Sequence, residues 1–217
     1  MTRAPRRQPR PTDSKPGTST VSDALQARSK YDVVAVGASA GGLNSLFQLL
    51  APLPAAFPSS ILIVQHLSPE HPSHLAEVLG RKLKVKVRQA SDGEGMLAGT
   101  AYVAPPNLHL LAAPAHVRLL GSPTVHHSRP SIDLLFESVA VNFGDRSVAV
   151  ILSGTGRDGA AGMRAVKQAG GITMTEDPSK AEFSAMPYAA VATGCVDIVL
   201  PLSKLAASLI DLCCPHA

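Results

Sequence analysis

Tryptophan is absent from the 217 residues, and five phenylalanines and three tyrosines bring the aromatic share to only 4%. Single-strand nucleic-acid binders stack bases on aromatic side chains, and this chain lacks such platforms. Cysteine is scarce as well: Cys195, Cys213 and Cys214 are the whole supply, and none form a C-x-x-C pair. That pattern excludes a disulfide framework and a zinc ribbon, so a reducing, cytoplasmic compartment is expected. No run approaches the ~18 uncharged apolar residues of a membrane-spanning helix, so no membrane insertion is expected. Charge is sparse too, 17% against 45% hydrophobic residues, the balance of a well-buried globular domain.

The charge that is there is unevenly placed. Residues 1–30 hold seven Lys/Arg against Asp13 and Asp23, while the rest of the chain holds 13 basic and 14 acidic residues. The overall net charge of +4 is therefore a property of the first thirty residues. A nucleic-acid binder carries its charge on the fold, so this class is set aside. The segment 1–30 is rich in Pro, Arg and Ser/Thr with few large apolar residues, which predicts a disordered basic arm before a domain at 31–214.

From Tyr31 onward, apolar runs and helical patterns alternate. "YDVVAV" and "SILIV" read as buried strands, with Leu43, Leu46, Phe47 and Leu50 at helical spacing between them. A helix is expected near 72–81. "KLKVKVR" at 82–88 alternates apolar and basic residues, the pattern of an edge strand. "TAYVAPP", "LHLLA" and "HVRLL" predict a small antiparallel meander at about 100–120. "SVAVIL", "ITMTE" and "VDIVL" are further strands, separated by helices. The class is α/β: a doubly wound, mostly parallel sheet with helices on both faces and the antiparallel insert.

In such sheets the ligand site lies beyond the carboxyl ends of the strands. Three reactive side chains follow buried strands there: Ser39 in "VGASAGG", His66 after "SILIVQ", and Asp158 in "SGTGRD" after "SVAVIL". Nucleophile, base and base-orienter are the parts of a serine hydrolase, with Gly37 and Gly41 framing a tight strand-to-helix turn. Each residue also has a plainer reading. Ser39 suits a turn or phosphate loop, His66 a structural hydrogen bond, and Asp158 the cap of the helix that follows it.

Rival chemistries lack their motifs. The glycine loop at Ser39 has neither the G-x-x-x-x-G-K-[ST] nor the G-x-G-x-x-G spacing of nucleotide loops, since Gly41-Gly42 is followed by Leu43 and Asn44, and the chain has no H-E-x-x-H for zinc. His66, His71 and His74 cluster around Pro69 and Pro72, which break any helix that could align them, so neither a metal nor a cofactor is expected. The order Ser…His…Asp also differs from the Ser…Asp…His order of α/β-hydrolases.

With these residues in place, the chain resembles the catalytic domain of the chemotaxis receptor protein-glutamate methylesterases, the CheB family. The blocks that carry the likeness are "VGASAGG", "VQHLSPEH", "AYVAPPNLHL", "HSRPSIDLLFESVA", "VILSGTGRDGAAGMRAVKQAGG" and "AMPYAAV". The resemblance implies hydrolysis of glutamyl methyl esters on the cytoplasmic helices of methylated chemoreceptors, and also deamidation of receptor glutamines. It makes Ser39 the nucleophile, His66 the general base and acid, and Asp158 its orienter, with backbone N–H groups of Ala40 and Thr155 at the oxyanion. Two residues depart from the family pattern: Ala40 stands where threonine is common, and Thr155 where methionine is. Many members carry a receiver domain where this chain has the basic arm, so a stand-alone domain regulated by a separate protein is expected. The competing reading is a degenerate esterase fold that binds an anionic ligand or partner at the glycine loop.

Receptor methylation segments are acidic helices, so a positive docking face is expected. Lys84 and Lys86, with Lys82, Arg88, Arg129 and Arg157, are its candidates. The lysines of an edge strand equally serve to block aggregation.

Overall fold

The computed structural model describes Met1 and residues 29–66, 73–126 and 128–214. The body of the basic arm, His71, His127 and His216 lie outside the described residues.

Seven strands form one sheet in the order β3-β4-β2-β1-β7-β8-β9. They are β1 (Val33–Ala38), β2 (Ser60–Gln65), β3 (Lys86–Gln89), β4 (Thr100–Val103), β7 (Ser147–Ile151), β8 (Ile172–Glu176) and β9 (Ile198–Leu200). Every pairing among them is parallel. β5 (His109–Ala113) and β6 (His116–Leu120) form a separate antiparallel hairpin.

Strand residues alternate between two cores, as the period of a pleated strand requires. Val34 and Val36 of β1 join Ile61 and Ile63 of β2 on one face, under the helices α1 (Gly42–Leu50), α2 (Leu75–Gly80) and α6 (Leu202–Cys213). Val33 and Ala35 join Leu62 and Val64 on the other face, under α3 (Ile132–Phe143), α4 (Ala160–Gln168), α5 (Ala185–Val191) and the hairpin. The doubly wound α/β reading therefore holds, with two corrections.

The first concerns the insert. Residues 100–103 are not part of a meander; β4 runs parallel between β2 and β3, and all four of its residues are buried. A four-residue run covered on both faces gives no alternation to mark it as a sheet strand. The antiparallel part is confined to 109–120. The second concerns the basic strand: only Lys86–Gln89 pairs, at the sheet edge as expected, whereas Lys82–Val85 precede it as turn and bend. The 72–81 helix begins at Leu75. No helix among the described residues is long and apolar enough to cross a membrane.

The chain winds outward from β1 to β2 and then returns to place β7 on β1's other flank. The sheet's switch point thus lies between β1 and β7, where an open α/β sheet leaves a crevice at its carboxyl edge.

Candidate active site

Register brings the first two residues together. Ala38 pairs with Gln65, so Ser39 and His66 leave neighbouring parallel strands side by side. The His66 N–H donates to the Ala38 carbonyl at 3.0 Å, and the Ser39 N–H donates to the Ser153 carbonyl at 3.0 Å. Gly41 then takes a left-handed φ of 72° and becomes the N-cap of α1, the bend that glycine makes without steric cost. Gln65 fastens the pair: its Nε2 donates to the Ser39 carbonyl at 2.6 Å and to the His66 carbonyl at 3.0 Å. A Cβ on Gly42 would lie 2.0 Å from Gln65 Oε1, so no side chain fits there.

β7, on the other flank of β1, leads into the loop that supplies the third residue. His66 Nε2 meets Asp158 Oδ2 at 2.9 Å, with the histidine side chain 18% exposed and the aspartate 4%. Asp158 does not cap its own helix: the N-cap of α4 is Gly159, which has no side-chain cap. Its carboxylate reaches instead to the start of α3. Oδ2 also accepts from the Ile132 N–H at 2.8 Å, while Oδ1 accepts from the Asp133 N–H at 2.9 Å and the Ser131 hydroxyl at 3.1 Å. Burial pushes the Asp158 carboxyl up, but the His66 bond and the two amides outweigh it and hold the group below the ordinary range. With four donors around it, the carboxylate has acceptor work only, which fixes the tautomer: Nε2 of His66 carries the hydrogen and Nδ1 is left as the basic nitrogen.

Ser39 and His66 line a cleft of about 1030 Å³. Phe47, Leu75 and Val78 give it an apolar wall, and Lys82 and Glu182 also line it. Lys82 Nζ lies 5.6 Å from the centre of the Phe47 ring. Ala40 is in the lining, whereas Thr155 is exposed in the Ser153–Asp158 loop and is not among the cleft residues. Among the described residues no group of three or more His, Cys, Asp or Glu is arranged to hold a metal.

The docking candidates are scattered. Arg157 is exposed in the same loop as Asp158. Arg129 is half-buried and donates to the Ser122 carbonyl at 3.0 Å, a structural tie. Arg88 pairs with Glu94 at 2.7 Å. Lys86 is level with Thr100, and Ala101 next to it is level with Ile61 and Val34, which puts Lys86 at the amino end of the sheet. Ser39 lies six residues further along, ~20 Å at the usual rise per strand residue. Lys84 precedes Lys86 and is exposed at the same end. Both lysines therefore fit edge protection, while Lys82, which opened the basic run, lines the cleft.

Sequence reading missed the residues that hold the site: Gln65, Ser131, Asp133 and Ser153. Ser153 is fully buried; its hydroxyl donates to the Ala40 carbonyl and accepts from the Phe183 N–H, tying the elbow to the chain before α5. A serine before an apolar helical run signals an N-cap, and Ser131 is one; nothing local in "SIDLLF" shows that Asp158 would cap the same helix.

A family model described as CheB methylesterase matches residues 34–209. A putative protein-glutamate methylesterase/protein-glutamine glutaminase of Leptospira interrogans is 37% identical over 183 residues, 84% of this chain and 95% of that protein. The protein-glutamate methylesterase FrzG of Myxococcus xanthus is 38% identical over 187 residues, 84% of this chain and 56% of its own length. The protein-glutamate methylesterase/protein-glutamine glutaminase of Photorhabdus laumondii is 40% identical over 181 residues, 82% of this chain. The chain spans 51% of that relative, so it corresponds to about half of some curated relatives and to nearly all of others. The crystal structure of the Thermotoga maritima CheB methylesterase catalytic domain superposes with a TM-score of 0.80 at 34% identity, covering 84% of this chain and 98% of that one. The chain belongs to the CheB methylesterase family.

Proposed function

We propose that the protein is a serine hydrolase that cleaves glutamyl methyl esters on chemoreceptor or receptor-like proteins, releasing glutamate and methanol. Deamidation of receptor glutamines is part of the same proposal, because an amide and an ester share one acyl chemistry. The observation that carries it is the 2.9 Å contact of His66 Nε2 with buried Asp158, where His66 lines one cleft together with Ser39.

His66 Nδ1 takes the Ser39 proton as Oγ attacks the ester carbonyl. The imidazolium formed is stabilised by Asp158, which stays ionised. In the common serine-protease arrangement the carboxylate meets Nδ1 and the serine meets Nε2, so the ring here works with its two nitrogens exchanged. The tetrahedral oxyanion is met by the Ala40 N–H, which lines the cleft and makes no hydrogen bond to any described residue. One such donor is worth ~3 kcal/mol of barrier. Collapse breaks the C–O bond, and methoxide leaves as methanol with the proton from His66. Water, deprotonated by the same nitrogen, then opens the acyl-enzyme to glutamate and returns Ser39. The apolar wall of the cleft suits the methyl ester and the aliphatic stem of its side chain.

Labelling by a serine-directed fluorophosphonate tests this. Wild type is expected to take one label per chain, and Ser39→Ala none. A folded wild type that stays unlabelled contradicts the hydrolase reading and leaves the ligand-binding module.

A further inference from the structure

Resting on the hydrolase reading, we propose that Asp133 is a positioning residue of the catalytic machinery, holding Asp158 in place for His66 through an exchange of helix caps. The helices α3 and α4 begin beside each other, and each needs acceptors for the N–H groups of its first turn. Neither uses a carboxylate of its own for them. Asp158, just before α4, takes the Ile132 and Asp133 N–H groups of α3 at 2.8 and 2.9 Å. Asp133, in the first turn of α3, takes in return the Gly159 and Gly162 N–H groups of α4 on Oδ1, at 2.9 and 2.8 Å.

Two carboxylates are thereby buried next to one another, at 4% and 5% exposure. Stability alone does not ask for this. Gly159, the N-cap, has no room for a side chain, since a Cβ there would lie 2.5 Å from Ile151 Cδ1, but a neutral acceptor such as asparagine at position 133 would satisfy the same two N–H groups without a second buried charge. What the exchange adds is position: Gly159 adjoins Asp158, and with its N–H held by Asp133 the preceding carboxylate cannot swing away from His66. The groups facing Asp133 are Asp158 from the loop before α4, His126 Nε2 at 3.8 Å from Oδ2, and Glu137 one turn along α3. Burial and then the Asp158 charge push the Asp133 carboxyl up, while Asp158 is held low, so the pair shares its charge unequally.

The test uses the full chain with Asp133→Ala and Asp133→Asn, counting competent sites by fluorophosphonate titration and following methyl-ester cleavage. Asp133→Ala frees the start of α4. It is expected to lower kcat per titrated Ser39 by roughly 10²-fold with KM little changed, the usual size of a small misplacement. Asp133→Asn keeps an oxygen for the same two N–H groups and is expected to recover kcat to within about three-fold. A merely structural role would reduce the number of titratable sites and the melting temperature while leaving kcat per site unchanged, and that result overturns the proposal. So does Asp133→Asn behaving like Asp133→Ala, since charge rather than capping would then be at work. A wild type that cleaves no ester removes the hydrolase reading itself, an outcome distinct from an active wild type indifferent to position 133.

Discussion

Glu176 closes β8 with its side chain 4% exposed, and its Oε2 accepts from the Ser153 N–H at 3.0 Å and the Ser45 hydroxyl at 3.5 Å. Burial pushes its carboxyl up, helped by the charges of Glu182 and Asp177, and the two bonds do not offset this. In the folded state Glu176 therefore keeps its proton at pH values where the unfolded chain has lost it. Over that interval the native state binds more protons, so its contribution to stability falls as pH rises from the ordinary glutamate range through the raised folded value. Glu176→Gln retains an acceptor and removes the titration. Urea midpoints measured across the mildly acidic range are expected to decline less with rising pH in Glu176→Gln than in wild type; identical slopes would contradict this. Asp158 has the opposite sign, since its lowered folded value gives stability present above the ordinary aspartate range and lost on acidification. At this scale the sequence marked Ser39, His66 and Asp158 as candidates, because each follows a buried strand. Asp133 and Ser153 were hidden, because their hydrogen-bond partners in the site lie 23 or more residues away in sequence.

At the scale of elements, the α3–α4 contact matters most to the site. A Cβ on Gly162 would lie 2.5 Å from Phe136 Cβ and 3.1 Å from the Asp133 carbonyl oxygen, so the two helices meet nearly backbone to backbone. Gly162→Ala forces them apart and stretches the bond from the Gly162 N–H to Asp133. It is expected to lower unfolding stability by about 1–3 kcal/mol, the usual cost of overpacking, and to lower ester cleavage as well. Thermal unfolding beside kinetics checks this; unchanged stability would mean the helices yield freely. Periodicity disclosed α3 and α4 but not their contact, because a glycine in a helix leaves no mark in an apolar pattern. It also misassigned β4, whose four buried residues carry no alternation.

For the molecule as a whole, the parallel sheet separates two ends. The carboxyl end gathers Ser39, His66 and Asp158, while Lys84 and Lys86 sit at the amino end of the edge strand. Reversing both lysine charges is expected to leave ester cleavage and its salt dependence unchanged and to lower solubility, as edge protection implies. A slowed reaction at low salt would restore them to a docking role. Alternation in "KLKVKVR" showed the edge but not which end of the sheet it occupies, since that depends on register with β4. The most direct measurement of the central claim is methanol release from a methylated chemoreceptor, comparing wild type with Ser39→Ala and Asp158→Asn. Wild type is expected to release methanol, Ser39→Ala to release none above background, and Asp158→Asn to be slower by roughly 10⁴-fold. Equal release by wild type and Ser39→Ala would contradict the account.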